Sequence, residues 1–349
     1  TGLRCGYTFG RVLIRDSPFI YMRTTIEVFS IQIKSKTDGL FDFSSEPDLF
    51  EIISNEERGL VHHIDISGTG DVPTLQRTVR IPANEISDEG ETLKYYHRNI
   101  NSRYICGIIE TGAYGKEYEI ANKDTPKNVS YTVGKEQAII KPFFYFLKIP
   151  RHGTKALLIL ERTDNEGIYP LMNLLLKNFL DRTFGVEKLF KIEKNNIVLG
   201  DYIEDLQSGR YRSVTLTANQ QATDCADRYF GNLESTDFTM ELVLKFKNHL
   251  GEDKQEHIRK LVNSGNTLFD NTELNTIFDN SKRKVVTTVG TGRQARTRTY
   301  YLSSEQRDLI RPYYDIDVES NDKNFSDYIS IKSIVKRFVD ENSEFSVFN

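Results

Sequence analysis

The sequence predicts a strand-rich α+β protein in two packed lobes. Residues 1–185 form a lobe built on a mixed sheet, and residues 186–349 form a smaller α/β lobe that contains a basic β-hairpin. Three observations predict it. Period-two alternation recurs through the first half, apolar stripes at helical spacing are confined to a few later segments, and 349 residues exceed the length at which one hydrophobic core usually keeps growing.

Residues 19–34 set Ile20, Met22, Thr24, Ile26 and Val28 on one parity and Tyr21, Arg23, Thr25 and Glu27 on the other, the mark of a strand. Segments 61–67 and 77–81 repeat this briefly, around a turn at Gly68-Thr69-Gly70. Segments 103–111 and 117–120 flank Gly112-Ala113-Tyr114-Gly115 and read as a hairpin. Strands follow at 129–133, 137–149 and 155–161. Pro170 suits a first helical turn, and Leu171, Leu174, Leu175 and Phe179 form a stripe that predicts a helix over 170–182, stopped at Gly185. A strand, a turn and a helix in that order predict the centre of a mixed sheet.

In the second half, strands are expected at 211–217 and 238–247, helices at 222–230 and 252–262, and a hairpin from 285–289 and 297–302. The last helix, 328–340, gathers Ile331, Ile334, Val335, Phe338 and Val339 on one face. No internal repeat, low-complexity tract or heptad run is present.

Charge and cysteine usage narrow the function. The net charge is −4 and neither half is polarised, so a polyanion site must be a local patch. Cys5, Cys106 and Cys225 are far apart, with no CxxC or Cys/His pair, which fits free thiols in a reducing compartment. No signal pattern opens the chain, and its longest apolar run, 138–149, is broken by Lys141, Pro142 and Lys148. The expectation is a cytoplasmic protein without a membrane span.

Motifs with catalytic spacing are missing, and the sequence identifies neither a catalytic residue nor a cofactor. Gly112-Ala113-Tyr114-Gly115-Lys116 is too short for a P-loop, and Gly68-Thr69-Gly70 and Gly290-Thr291-Gly292 lack the third glycine of a dinucleotide site. His63 and Asp65 would share a face of a strand, but two ligands fall short of a catalytic metal centre and no metal site is assigned. Cys106 sits in an apolar strand and reads as a packing residue. Asp224 and Asp227 would raise the pKa of Cys225, the reverse of activation. Asp237 with Glu252-Asp253-Lys254 has the composition of a Mg²⁺-nuclease motif, although the triplet falls at a helix start.

The segment 282–301 carries Lys282, Arg283, Lys284, Arg293, Arg296 and Arg298 and no acidic residue. In a strand, Arg296, Arg298 and Tyr300 share a face, and guanidinium groups beside an aromatic ring suit phosphate contact and base stacking. A solvated hairpin whose arginines pair with Asp315, Asp317, Glu319 and Asp322 satisfies the same pattern.

Two stretches carry a resemblance. Ile149-Pro150-Arg151-His152-Gly153-Thr154-Lys155-Ala156-Leu157-Leu158-Ile159-Leu160-Glu161-Arg162 leads into Gly167-Ile168 and a helix. Leu302-Ser303-Ser304 precedes Arg311-Pro312-Tyr313-Tyr314-Asp315-Ile316 after a spacer. Together, about a tenth of the chain, they resemble uncharacterised bacterial proteins that accompany mobile elements and phage-defence loci. The resemblance implies a prokaryotic cytosolic setting and a role in antiviral defence, with no catalytic residue to carry over. The expected function is therefore binding, to nucleic acid or to a protein encoded nearby. The alternatives are a metal-dependent nuclease using Asp237 and Glu241, or a structural subunit of a defence complex.

Overall fold

The structure, a computed structural model, describes residues 21–66, 71–86, 92–163, 166–217, 240–247, 250–263, 278, 282–289, 296–301 and 312–349. Cys5, Cys225, Asp237, Arg293, the expected helix 222–230 and the turn at 67–70 lie outside them. The architecture is mixed α+β and rich in strands, centred on an eleven-stranded sheet.

Strand β1 (Tyr21–Ser35) is the organiser. At 15 residues it is long enough to take several partners. Strands β2 (Arg77–Arg80), β3 (Tyr96–Asn99), β4 (Tyr104–Ala113), β5 (Lys141–Lys148) and β6 (Ala156–Thr163) extend the sheet on one side, in the order β1-β6-β5-β4, with β2 and β3 both on the far edge of β4. Strand β7 (Lys191–Asn196) pairs with Phe29–Lys34 along the other edge of β1.

Helices cover both faces of this sheet. Phe29, Ile31, Ile33, Phe143, Tyr145, Leu158 and Leu160 point toward helices α1 (Leu49–Ile53), α2 (Leu60–Ile66) and α3 (Tyr169–Phe184). Ile26, Val28, Cys106, Phe144, Phe146, Leu157 and Ile159 point to the opposite side. Burial on both faces explains why β5 and β6 are continuous apolar runs with no polar alternation. Helix α3 buries Leu171, Leu175 and Phe179 as expected, joined by Met172, Leu176 and Leu180, while Leu174 lies on its flank.

Beyond β7 the chain forms α4 (Gly200–Ser208) and a four-stranded sheet. Its strands are β8 (Arg210–Thr217), β9 (Glu241–Lys245), β10 (Lys282–Val289) and β11 (Arg296–Tyr301), in the order β9-β8-β10-β11. Helix α5 (Glu252–Asn263) and α4 close its inner face around Tyr211, Val214, Leu216, Val285 and Tyr300. The chain then returns to the large sheet. Strand β12 (Tyr314–Glu319) pairs with Tyr21–Ile26, end to end with β7 along one edge of β1, and helix α6 (Tyr328–Glu341) covers the second face. Strands from both sides of residue 185 thus share one sheet.

Three expectations need correction. The large sheet is not mixed: among the described strands every pairing is antiparallel. The strand–helix–strand unit β6-α3-β7 does exist, but β1 lies between its two strands, so no parallel ladder forms. Where a strand was expected over 61–67, the described part, Leu60–Ile66, is a helix, because Leu60 and Ile64, one turn apart, are both buried. Segment 117–120 does not pair with β4, whose two edges are occupied by β5 and by β2 and β3. Tyr118–Ala121 pairs instead with Val129–Val133.

Candidate functional site

Strands β10 and β11 pair from Lys284↔Tyr301 to Val289↔Arg296, and the pleat divides their side chains between two faces. Arg298 and Tyr300 do share a face, but it is the inner one. Tyr300 is buried, and its hydroxyl lies 2.9 Å from the hydroxyl of Tyr211, out of reach of a base. Arg298 is 17% exposed, with Nη2 3.7 Å from Asp315 Oδ2 and its guanidinium 5.4 Å from the Tyr313 ring centre. Arg283 lies on the same parity as buried Val285 and donates to the Val262 carbonyl at 3.4 Å. Arg298 and Tyr300 thus sit on the inner face of the sheet and not on its exposed surface. Arg298 instead pairs with the acidic stretch, the other reading of the pattern. The side chains of Lys282 and Arg296 lie outside the described residues.

Lys284 is on the outer face and exposed. Cross-strand register sets it in the row Val243–Thr215–Lys284–Tyr301. The adjacent row is Lys245–Ser213–Val286–Thr299. Lys245 and Lys284 are thus two strand spacings apart across the sheet, about 9.6 Å, and two residues along it, about 6.7 Å. A register shift between Tyr211 and Ser213 brings Arg212 beside Thr288, to which its Nε donates at 2.8 Å. Thr297 and Thr299 are exposed on β11. Glu241, at the end of β9, accepts from Thr217 Oγ1 at 3.2 Å. Sequence reasoning missed Lys245 and Arg212. The alternation of 241–245, with Leu242 and Leu244 facing in, was the signal available for Lys245.

The two stretches that carry the resemblance meet in space. Arg162 ends the first, and its guanidinium lies 4.7 Å from the ring centre of Tyr313 in the second; Arg162 also contacts Glu27 Oε1 at 3.3 Å. Arg162 and Arg298 thus both lie against Tyr313, joining β6 to β11. Next to Arg162, Glu161 is 3% exposed and accepts from Thr24 Oγ1 (3.1 Å), Ser326 Oγ (2.5 Å) and the Phe144 N–H (2.9 Å). Burial holds its carboxyl above the ordinary range, partly offset by those donors. This cluster welds the four-stranded sheet and the α6 connection to the large sheet.

At the other end of the large sheet, a shallow cleft is lined by Ser44, Asp48, Glu51, Arg103, Arg151 and His152. Its buried cation is already engaged: Arg103 makes two 2.8 Å bonds to Asp48, a 3.0 Å bond to the Ile149 carbonyl, and stacks 4.8 Å from the Phe50 ring.

For metal or nucleophile chemistry the arrangement offers little. His63 lies in a helix and not in the expected strand. Burial pushes the Cys106 thiol up to about 12. Glu252 and Asp253 open α5 and do not lie in a strand. Among the described residues, no three His, Cys, Asp or Glu side chains gather as metal ligands, and no helix is long and apolar enough to cross a membrane. No family model, curated protein or solved structure matches the chain.

Proposed function

We propose that this protein acts by binding, in the cytoplasmic bacterial defence setting implied by the resemblance of residues 149–162 and 302–316. In this reading the ligand is single-stranded nucleic acid, held by its phosphate backbone on the outer face of the four-stranded sheet. That sheet, with its own apolar cluster, is the working part of the second lobe. One observation carries the reading: Lys284 and Lys245 stand exposed in adjacent rows of an open face, with Arg212 on the same surface and Glu241 at its margin. Of the hairpin cations, Lys284 keeps the role expected of it, through the face opposite to Arg298 and Tyr300. Backbone contacts of this kind bring no sequence preference.

Titration of a fluorescein-labelled single strand with wild type and Lys245→Ala/Lys284→Ala tests it. Both lysines are exposed, so their truncation leaves no cavity. Weaker binding by the double variant supports the reading; equal binding, or no binding by wild type at low salt, removes it. Incubation of the same strand with Mg²⁺ separates binding from the nuclease alternative, which requires cleavage.

A further inference from the structure

Between β4 and β5 the chain leaves the large sheet as a two-stranded ribbon, Tyr118–Ala121 paired with Val129–Val133. Among the described residues neither strand has a second neighbour. Register places Ile120 opposite Tyr131 and Tyr118 opposite Val133, so these four share a face. Of these, Tyr118, Ile120 and Tyr131 are 44%, 45% and 51% exposed, and Val133 is buried. An isolated two-stranded ribbon is marginal in water, and an apolar face adds a further penalty unless something covers it.

We propose that the edge of Tyr118–Ala121 accepts an extended segment of a partner protein as a third strand. The segment carries apolar side chains at alternate positions and basic ones between them. Three features select this occupant. The Val129–Val133 strand has a register irregularity between Val129 and Tyr131, which twists an edge away from pairing, whereas Tyr118–Ala121 has no bulge, lysine or proline. Glu117 and Glu119 are exposed and alternate with Tyr118 and Ile120, so the edge is acidic between its apolar positions. Finally, aromatic side chains offer about 150–250 Å² when fully exposed, so the two half-exposed tyrosines and Ile120 together present less than about 300 Å². A standard interface buries about 800 Å² per partner, so face-to-face packing of a second copy on this patch falls short. Strand addition supplies backbone hydrogen bonds that side-chain burial alone does not.

The test uses the full chain and a decapeptide of alternating valine and lysine, beside the same peptide N-methylated along its backbone. Wild type should bind the first at least tenfold more tightly than the second, with slowed hydrogen exchange at residues 118–121. Ile120→Asp, at an exposed site that leaves the fold intact, should weaken binding to a similar degree. Equal binding of both peptides, absence of binding, or protection elsewhere overturns the proposal. So does a wild-type dimer that Ile120→Asp dissolves, which would make the occupant a second copy.

Discussion

The hydroxyls of Tyr211 and Tyr300 meet at 2.9 Å beneath the four-stranded sheet, and this contact fixes which face of β11 looks inward. Both rings are buried. Burial, reinforced by the Tyr211 hydroxyl, keeps the Tyr300 phenol protonated far above its ordinary range. Tyr300→Phe should cost about 1 kcal/mol, since Tyr211 keeps a second contact with the Gln207 carbonyl at 3.3 Å. Tyr300→Ala should cost about 3–5 kcal/mol. Urea unfolding reads both, and the folded Tyr300→Phe protein should bind single-stranded DNA as wild type does. A defect in binding at unchanged stability would return Tyr300 to the ligand face.

Glu161 should make stability depend on pH in a specific direction. Its folded-state carboxyl titrates above the ordinary value of 4.5 because it is buried, so the native state holds the proton more tightly than the unfolded chain. Its contribution is therefore greatest below the unfolded value and falls as the pH rises through the folded one. The stability difference between wild type and Glu161→Gln, measured by denaturant titration from pH 4.5 upward, should shrink as the pH increases. A difference that grows with pH would mean that the three donors outweigh burial.

Asp48 should behave in the opposite sense. Hydrogen bonds from Arg103 hold its carboxyl below the ordinary value of 3.8, and its Oδ1 also accepts from the Phe50 N–H at 2.8 Å as the cap of α1. Its stabilisation is present above the unfolded value and is lost as the pH falls through the folded one. Asp48→Ala should cost about 3–5 kcal/mol at neutral pH, because it leaves the Arg103 guanidinium buried and unpaired. A cost under about 1 kcal/mol would show that water reaches Arg103.

Leu175→Ala should cost about 2–5 kcal/mol in the same assay, because Leu175 sits with Leu171 and Phe179 in the apolar layer between α3 and the sheet. A loss below about half a kcal/mol, the range of surface substitutions, would place this helix face in solvent.

Local pattern made much of this legible. The Leu171, Leu175 and Phe179 stripe located α3, the 328–340 pattern located α6, and alternation located β1, β8 and β9. Pairing between distant segments was not legible, because alternation gives a strand its faces and leaves its neighbours open. Nothing in 314–319 states that it returns to Tyr21–Ile26. In the same way, a short segment such as 60–66 satisfies both periods, and the burial of Leu60 and Ile64 decides it. The charge of Arg296 and Arg298 does not say which side of β11 the face they share with Tyr300 occupies. The exposed Thr297 and Thr299 and the hydroxyl partner needed by Tyr300 place it inward, and a one-residue change of parity exchanges the two faces.

The outer face of the four-stranded sheet is the central claim, and the salt dependence of single-strand binding tests it most directly. Each cation that neutralises a phosphate contributes about 0.7 to the slope of log K against log salt for a single strand. Anisotropy titrations across a salt series should therefore give Lys245→Ala/Lys284→Ala a slope shallower than wild type by about 1.4. Tyr300→Phe, on the opposite face, should keep the wild-type slope. A double variant whose slope and affinity equal those of wild type would contradict the assignment of this face to nucleic acid.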